Sequence, residues 1–87
     1  MTYVDSLIDW GWRLGPSCHL IADTIDELHS FADRLGMRRS WFQDDPKLRH
    51  YDLTAKRRAV AVRLGAVELD RREFVAKARD LRGVSLP

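Results

Sequence analysis

The residues best suited to chemistry cluster late in the chain: Trp41, Gln43, His50, Asp52 and Thr54, followed by Lys56, Arg57 and Arg58. Bases in the first turn of a helix oppose its dipole, which costs each a few tenths of a kcal/mol up to ~1 kcal/mol. A polyanion would reverse that sign. With Thr54 as N-cap and unpaired backbone N–H groups beside it, Lys56, Arg57 and Arg58 form an anion grip for a phosphate. His50 and Asp52 lie on the stretch leading into that turn, so an imidazole and a carboxylate would stand next to the bound phosphate as candidate catalytic acid–base groups. Trp41, Gln43 and His19 are expected to line the same site. The first expectation is therefore a binding module for a phosphate-bearing ligand, a nucleotide or nucleic acid. The competing account is that Asp44, Asp45 or Asp52 neutralises the basic cluster from within.

A second chemistry needs carboxylates. Asp5, Asp23 and Asp52 each fall at the end of an expected strand, and three such oxygens could hold Mg²⁺ or Mn²⁺ for a metal-dependent phosphodiesterase or nuclease working with His50. Helix capping accounts for Asp23 and strand ending for Asp5 without any metal. A third reading takes Trp10 and Trp12, flanking Gly11, as a platform for bases or as the anchor of a phage-type interaction factor docking on a host protein. Core packing is the stronger expectation for these aromatics. His19, in an apolar run, reads as a core histidine and His29, off its helix's apolar stripe, as a surface one. Phosphate loops, dinucleotide turns, nucleophile elbows and H-E-x-x-H helices are absent from the sequence.

These side chains must be positioned by short elements. Thr2 to Leu7 reads as a strand, the Gly15-Pro16 pair as a break, and Ser17 to Ala22 as a buried strand. Thr24 and Glu27 form a T-x-x-E capping box for a helix closed by Gly36. Arg38 to Gln43 is an expected strand, Asp44-Asp45-Pro46 a loop, and His50 to Leu53 another strand. Thr54 caps a helix ending at Gly65, Ala66 to Leu69 extends, and Asp70 with Glu73 opens a third helix that stops at Gly83. The resulting class is α/β (or α+β): a small mixed sheet of four to five short strands with three helices in one compact domain, residues 1–83, and a tail at 84–87. Two strand–helix–strand stretches of this kind favour a sheet with parallel pairs, whose site would lie beyond the carboxyl ends of the strands.

Composition sets the outer limits. A chain of 87 residues with 45% hydrophobic and 32% charged residues can bury one core and is neither disordered nor large enough for a second domain. So small a core leaves room for stabilisation by a partner or a homo-oligomer. One cysteine, Cys18, precludes an internal disulfide and fits a reducing, cytoplasmic setting. No apolar run approaches the ~20 residues of a membrane helix. Residues 1–35 carry a net −4 and residues 36–87 a net +6, giving the overall +2. Such lopsidedness marks either a basic binding face or two halves that pack and cancel.

Taken together, W-G-W-R at 10–13, S-C-H-L-I-A-D-T at 17–24, W-F-Q at 41–43, H-Y-D-L-T at 50–54, K-R-R-A-V-A-V at 56–62 and L-G-A-V-E at 64–68 resemble the small bacterial and bacteriophage proteins of domain-of-unknown-function family 4031. The resemblance spans nearly the whole chain and implies a single-domain protein, often phage-encoded. It brings no activity, substrate or cofactor. Its pattern includes Cys18, His19, Asp23, Trp41, Gln43, His50, Asp52 and Arg58, which implies that some of these share a site.

Overall fold

The computed structural model describes residues 1–83; the tail expected at 84–87 lies outside the described residues. Five strands, β1 (Thr2–Val4), β2 (Ser17–Ala22), β3 (Gln43–Asp45), β4 (Leu48–Thr54) and β5 (Val67–Glu68), form one sheet in the order β3-β4-β2-β1-β5. Three helices accompany it: α1 (Ile25–Arg34), α2 (Ala55–Arg63) and α3 (Arg71–Leu81). The mixed α/β class and the three helices match the sequence reading. No helix among the described residues is long and apolar enough to cross a membrane.

Pairing departs from expectation. β1 and β2, β2 and β4, and β3 and β4 are antiparallel, and only β1 and β5 pair in parallel. Both strand–helix–strand units still run their strands in a common direction, but β4 is inserted between β2 and β3, and β2 and β1 between β4 and β5. The inserted strands follow from the connections. The segment from β1 to β2 has no helix and folds back on itself through the Ile8–Ser17 bridge, so it can join only antiparallel neighbours.

The strand expected at Arg38–Gln43 is instead a 3-10 turn at Arg39–Trp41, and pairing begins at Gln43. The aspartates expected to form a loop belong to β3. Asp45 accepts a hydrogen bond from the Lys47 amide at 2.9 Å to close the hairpin, and Asp44 pairs across the strands with Arg49 at 2.7 Å. Exposure makes this polar strand affordable, because its side chains remain in water.

Helix ends follow the sequence closely. Thr24 and Thr54 accept hydrogen bonds from the Glu27 and Arg57 amides, and Asp70 with Glu73 closes a reciprocal capping box. The Thr24 box is only half formed, since the Glu27 carboxylate goes to the Met1 ammonium. Gly36 and Gly65 sit at φ 75° and 109°, conformations that end α1 and α2 and that a side chain would strain.

Strand alternation assigns the two sheet faces. Cys18, Leu20 and Ala22 of β2 and Tyr51 and Leu53 of β4 face α1 and α2, where Leu28, Phe31, Ala32 and Ala61 complete the main core. The opposite face carries a smaller cluster, Tyr3, Ile21 and Phe74, under α3. His29, expected at the surface, is half-buried: its ring meets the buried Tyr51 hydroxyl at 2.8 Å and packs edge-on against Phe42, because a hydroxyl removed from water needs a partner.

Candidate functional site

The α3 face of the sheet is only partly covered, and its open part collects the polar side chains. His50 and Asp52 alternate with Tyr51 on β4, so both point away from the main core. His19 on β2 lies directly across from Asp52, and Gln43 on β3 directly across from His50. Asp5, one residue past β1, reaches His19 from the other side. Donor atoms of His19, His50 and Asp52 all lie within 4.8 Å of one another.

Each imidazole is fastened from behind. Asp5 accepts from the His19 amide at 2.6 Å and meets the His19 ring at Nδ1 at 2.8 Å, so one carboxylate fixes both the strand and the ring. The His50 ring sits with Nδ1 2.6 Å from the Leu48 carbonyl oxygen. A carbonyl can only accept, so Nδ1 of His50 carries the proton. Both Nε2 atoms therefore turn toward Asp52 Oδ1, at 4.0 Å from His19 and 3.4 Å from His50. Gln43 holds the other Asp52 oxygen through its side-chain amide. The hydrogen bond to Asp5 outweighs burial and makes the His19 imidazole more basic than usual.

This arrangement is a donor set with its supports in place. Ligating histidines characteristically donate their second nitrogen to a carboxylate or carbonyl, which sets tautomer and orientation. A first-row ion about 2.0–2.2 Å from each donor needs donors about 3–3.5 Å apart, so His50 and Asp52 at 3.4 Å are nearly in register, and His19, in a cluster spanning 4.8 Å, must close by about 1 Å or more. His50 is 8% exposed, and the opening above the cluster is bordered by Trp10, Trp12 and Ser17.

The expected carboxylate triad does not assemble. Because β1 and β2 are antiparallel, their carboxyl termini point to opposite ends of the sheet's strands. Asp5 and Asp52 flank His19, whereas Asp23 is at the far end, bound by the Tyr3 hydroxyl, the Met1 ammonium and Lys77. Burial alone would raise the Asp23 pKa, but these three hydrogen bonds outweigh it and hold the carboxyl below its usual range.

The basic cluster of α2 is divided. Arg58 turns inward, donating to the Asp5 carbonyl oxygen at 2.8 Å and to Glu68 at 2.9 Å, so an internal acid, though not one of those expected, neutralises it. Lys56 borders a recess with Leu35 and Val60, on the other side of Thr54 and Arg57 from the groove at Trp41. Arg57 alone joins the site: with Thr54, Gln43, Trp41, Trp12 and Asp52 it lines a groove adjoining the histidines, its guanidinium 5.3 Å from the Trp41 ring centroid.

Trp10 and Trp12, expected mainly in the core, are 55% and 44% exposed, and Trp41, expected at the site, is 43% exposed. They sit on loops and the 3-10 turn, where no helix covers them. Sequence reasoning missed His19 with Asp5 as a unit, because no spacing rule links a residue past one strand to the middle of the next. The visible signal was the H-x-D alternation of His50 and Asp52, which puts both on one face.

No curated protein and no solved structure matches the chain. One family model does, over residues 2–81, and the chain accordingly belongs to the family described as "Protein of unknown function (DUF4031)".

Proposed function

We infer that the protein binds a divalent transition-metal ion through His19 Nε2, His50 Nε2 and the Asp52 carboxylate, and uses it to hydrolyse a phosphoester. The observation that carries this reading is the common aim of two imidazoles, each held through Nδ1 with Nε2 left for a ligand. Two nitrogens and one carboxylate oxygen suit zinc, manganese, iron or cobalt better than magnesium, which prefers oxygen throughout. Asp5, Leu48 and Gln43 supply the supporting hydrogen bonds.

Three protein donors leave positions for water and substrate. A bound divalent ion lowers the pKa of its water to about 7 and polarises a phosphoryl oxygen. The water oxygen adds to phosphorus, the bond to the leaving alkoxide breaks, and the water's proton ends on that leaving oxygen. A diester and water thus give a monoester and an alcohol, with no oxidant or reductant. Arg57 in the adjoining groove supports an anionic substrate, and with Thr54 it is what remains of the expected phosphate grip.

Metal titration by calorimetry, with metal analysis of the purified protein, tests the site. Wild type should hold about one zinc or manganese ion per chain, and His19→Ala, His50→Ala and Asp52→Asn should each lose more affinity than the roughly 10–100-fold typical of outer-shell changes. Equal binding by wild type and these variants, all folded by circular dichroism, removes the site. Turnover of a chromogenic phosphodiester that persists in EDTA removes the metal from the reaction.

A further inference from the structure

Resting on that reading, we propose that the substrate is single-stranded nucleic acid, laid in a trough that runs from a cationic cavity beside α3, across the His19–His50–Asp52 cluster, to the exposed tryptophans. Three recesses make the trough, and they share walls. A cavity of about 310 Å³ lies between α3 and the β3–β4 hairpin and has His19 in its lining. The recess over the cluster, about 420 Å³, also has His19 in its wall. Trp12, Gln43 and Asp52 then belong both to this recess and to the groove of about 440 Å³ that holds Trp41 and Arg57. Neighbouring recesses that share lining residues on both sides of the cluster offer contacts for more than one nucleotide and suit a short stretch of polymer.

Charge supports a phosphate backbone at the α3 end. Lys47, Arg71 and Arg82 line that cavity together with Asp5, whose carboxylate is engaged by His19, and none of the three bases makes an ion pair among the described residues. The Arg82 guanidinium donates to the Lys47 carbonyl oxygen at 3.0 Å, which ties the end of α3 to the β3–β4 hairpin across the cavity. Three bases against one carboxylate leave the cavity net positive, and an anion bound there relieves their mutual repulsion. Phe74, Val75 and Ala78 give the same cavity an apolar floor on which a sugar or base can rest.

The other end supplies stacking. Trp10 and Trp12 border the cluster, and Trp41 carries the Arg57 and Arg38 guanidiniums at 5.3 and 6.0 Å from its ring centroid. Exposed aromatics beside arginines are the usual platform for unpaired bases, which have a free face, whereas duplex bases are already stacked on one another. A cluster with His50 largely buried also favours a flexible single strand over a rigid duplex.

Fluorescence anisotropy with labelled 12-mers of single-stranded DNA, single-stranded RNA and duplex DNA tests this, using protein kept metal-free by chelation. Either single strand, or both, should bind at least tenfold tighter than the duplex, with affinity falling steeply as salt rises. Lys47→Gln with Arg71→Gln should weaken single-strand binding about tenfold and reduce the salt slope by close to two phosphate contacts' worth. Trp10→Ala with Trp12→Ala should weaken it by a similar factor while leaving the salt slope unchanged. Absence of single-strand binding, a duplex bound as tightly, or both double variants binding like wild type with an intact fold would overturn the proposal. Metal titration of the same proteins keeps the two readings apart: strand binding without a metal site removes the hydrolase alone, and a metal site without strand binding removes this substrate alone.

Discussion

The two faces of one sheet have been put to opposite uses. Toward α1 and α2 the strands send Val4, Cys18, Leu20, Tyr51 and Leu53, all essentially without exposure, into a closed apolar layer. Toward α3 the same strands send Tyr3 and Ile21 under the helix, and His19, His50 and Asp52 beyond its edge. One residue of register separates the two sets, since neighbouring side chains on a strand take opposite faces. The backbone that positions the cluster is therefore held by packing on the opposite, closed side.

The comparison can be broken most forcefully at Tyr51. Tyr51→Ala empties a site at the centre of the closed layer and strands the His29 ring, and should cost about 3–5 kcal/mol in urea unfolding. Asp52→Asn, one residue away on the other face, should cost less than about 1 kcal/mol while abolishing metal binding, because its side chain is partly open to solvent. Comparable losses from the two would mean that the open face is structural.

Asp5→Asn comes next in size. It keeps the shape but weakens the carboxylate that orients His19, and should lower metal affinity roughly 10–100-fold with His19 itself unchanged. An affinity equal to wild type would show that His19 needs no support. Arg58→Ala should destabilise by about 1–2 kcal/mol through loss of its bonds to the Asp5 carbonyl and Glu68, whereas Lys56→Ala should stay within about 0.5 kcal/mol. Equal effects would contradict the division of the basic cluster.

Cys18 reports on the closed face through its chemistry. Burial, with the Asp5 charge adding to it, pushes its thiol up to about 12, so the reactive thiolate is scarce at neutral pH. Thiol reagents should label it only as fast as the protein unfolds, and rapid native labelling would show that the layer opens. The smallest effect is expected at Asp23. Its folded pKa is lowered, so the stability it contributes is full well above its ordinary value of 3.8 and is lost as pH falls through the folded value. Asp23→Asn should flatten that acid limb by less than about 1 kcal/mol and leave the alkaline limb unchanged.

Much of the frame was legible in the sequence because it depends on local chemistry. Thr24, Thr54 and Asp70 cap the three helices they announce, Gly36 and Gly65 end two of them, and the apolar run of β2 is a buried strand. What depends on partners distant in sequence was not legible. Strand direction was misjudged because a helix between two strands fixes their relative direction but not whether another strand slips between them. That error carried Asp23 into a site it does not reach. Exposure of Trp10 and Trp12 was misjudged for a related reason: residue type favours the interior, but only the path of α3 decides which part of the sheet is roofed. Lys56, Arg57 and Arg58 look alike in a row, yet successive helical positions point about 100° apart, and each meets a different environment.

A sheet of five strands has two borders, and either could recruit a stranger's backbone. One border here, β3, is three residues long with every side chain exposed, bears two aspartates, and runs straight into Pro46. The other, β5, is only two residues long. Short, charged and proline-stopped margins resist the strand-upon-strand growth that leads to fibres. The protein should therefore tolerate concentration without stacking edge to edge, even though the polar cluster sits on β4, one strand in from that guarded margin.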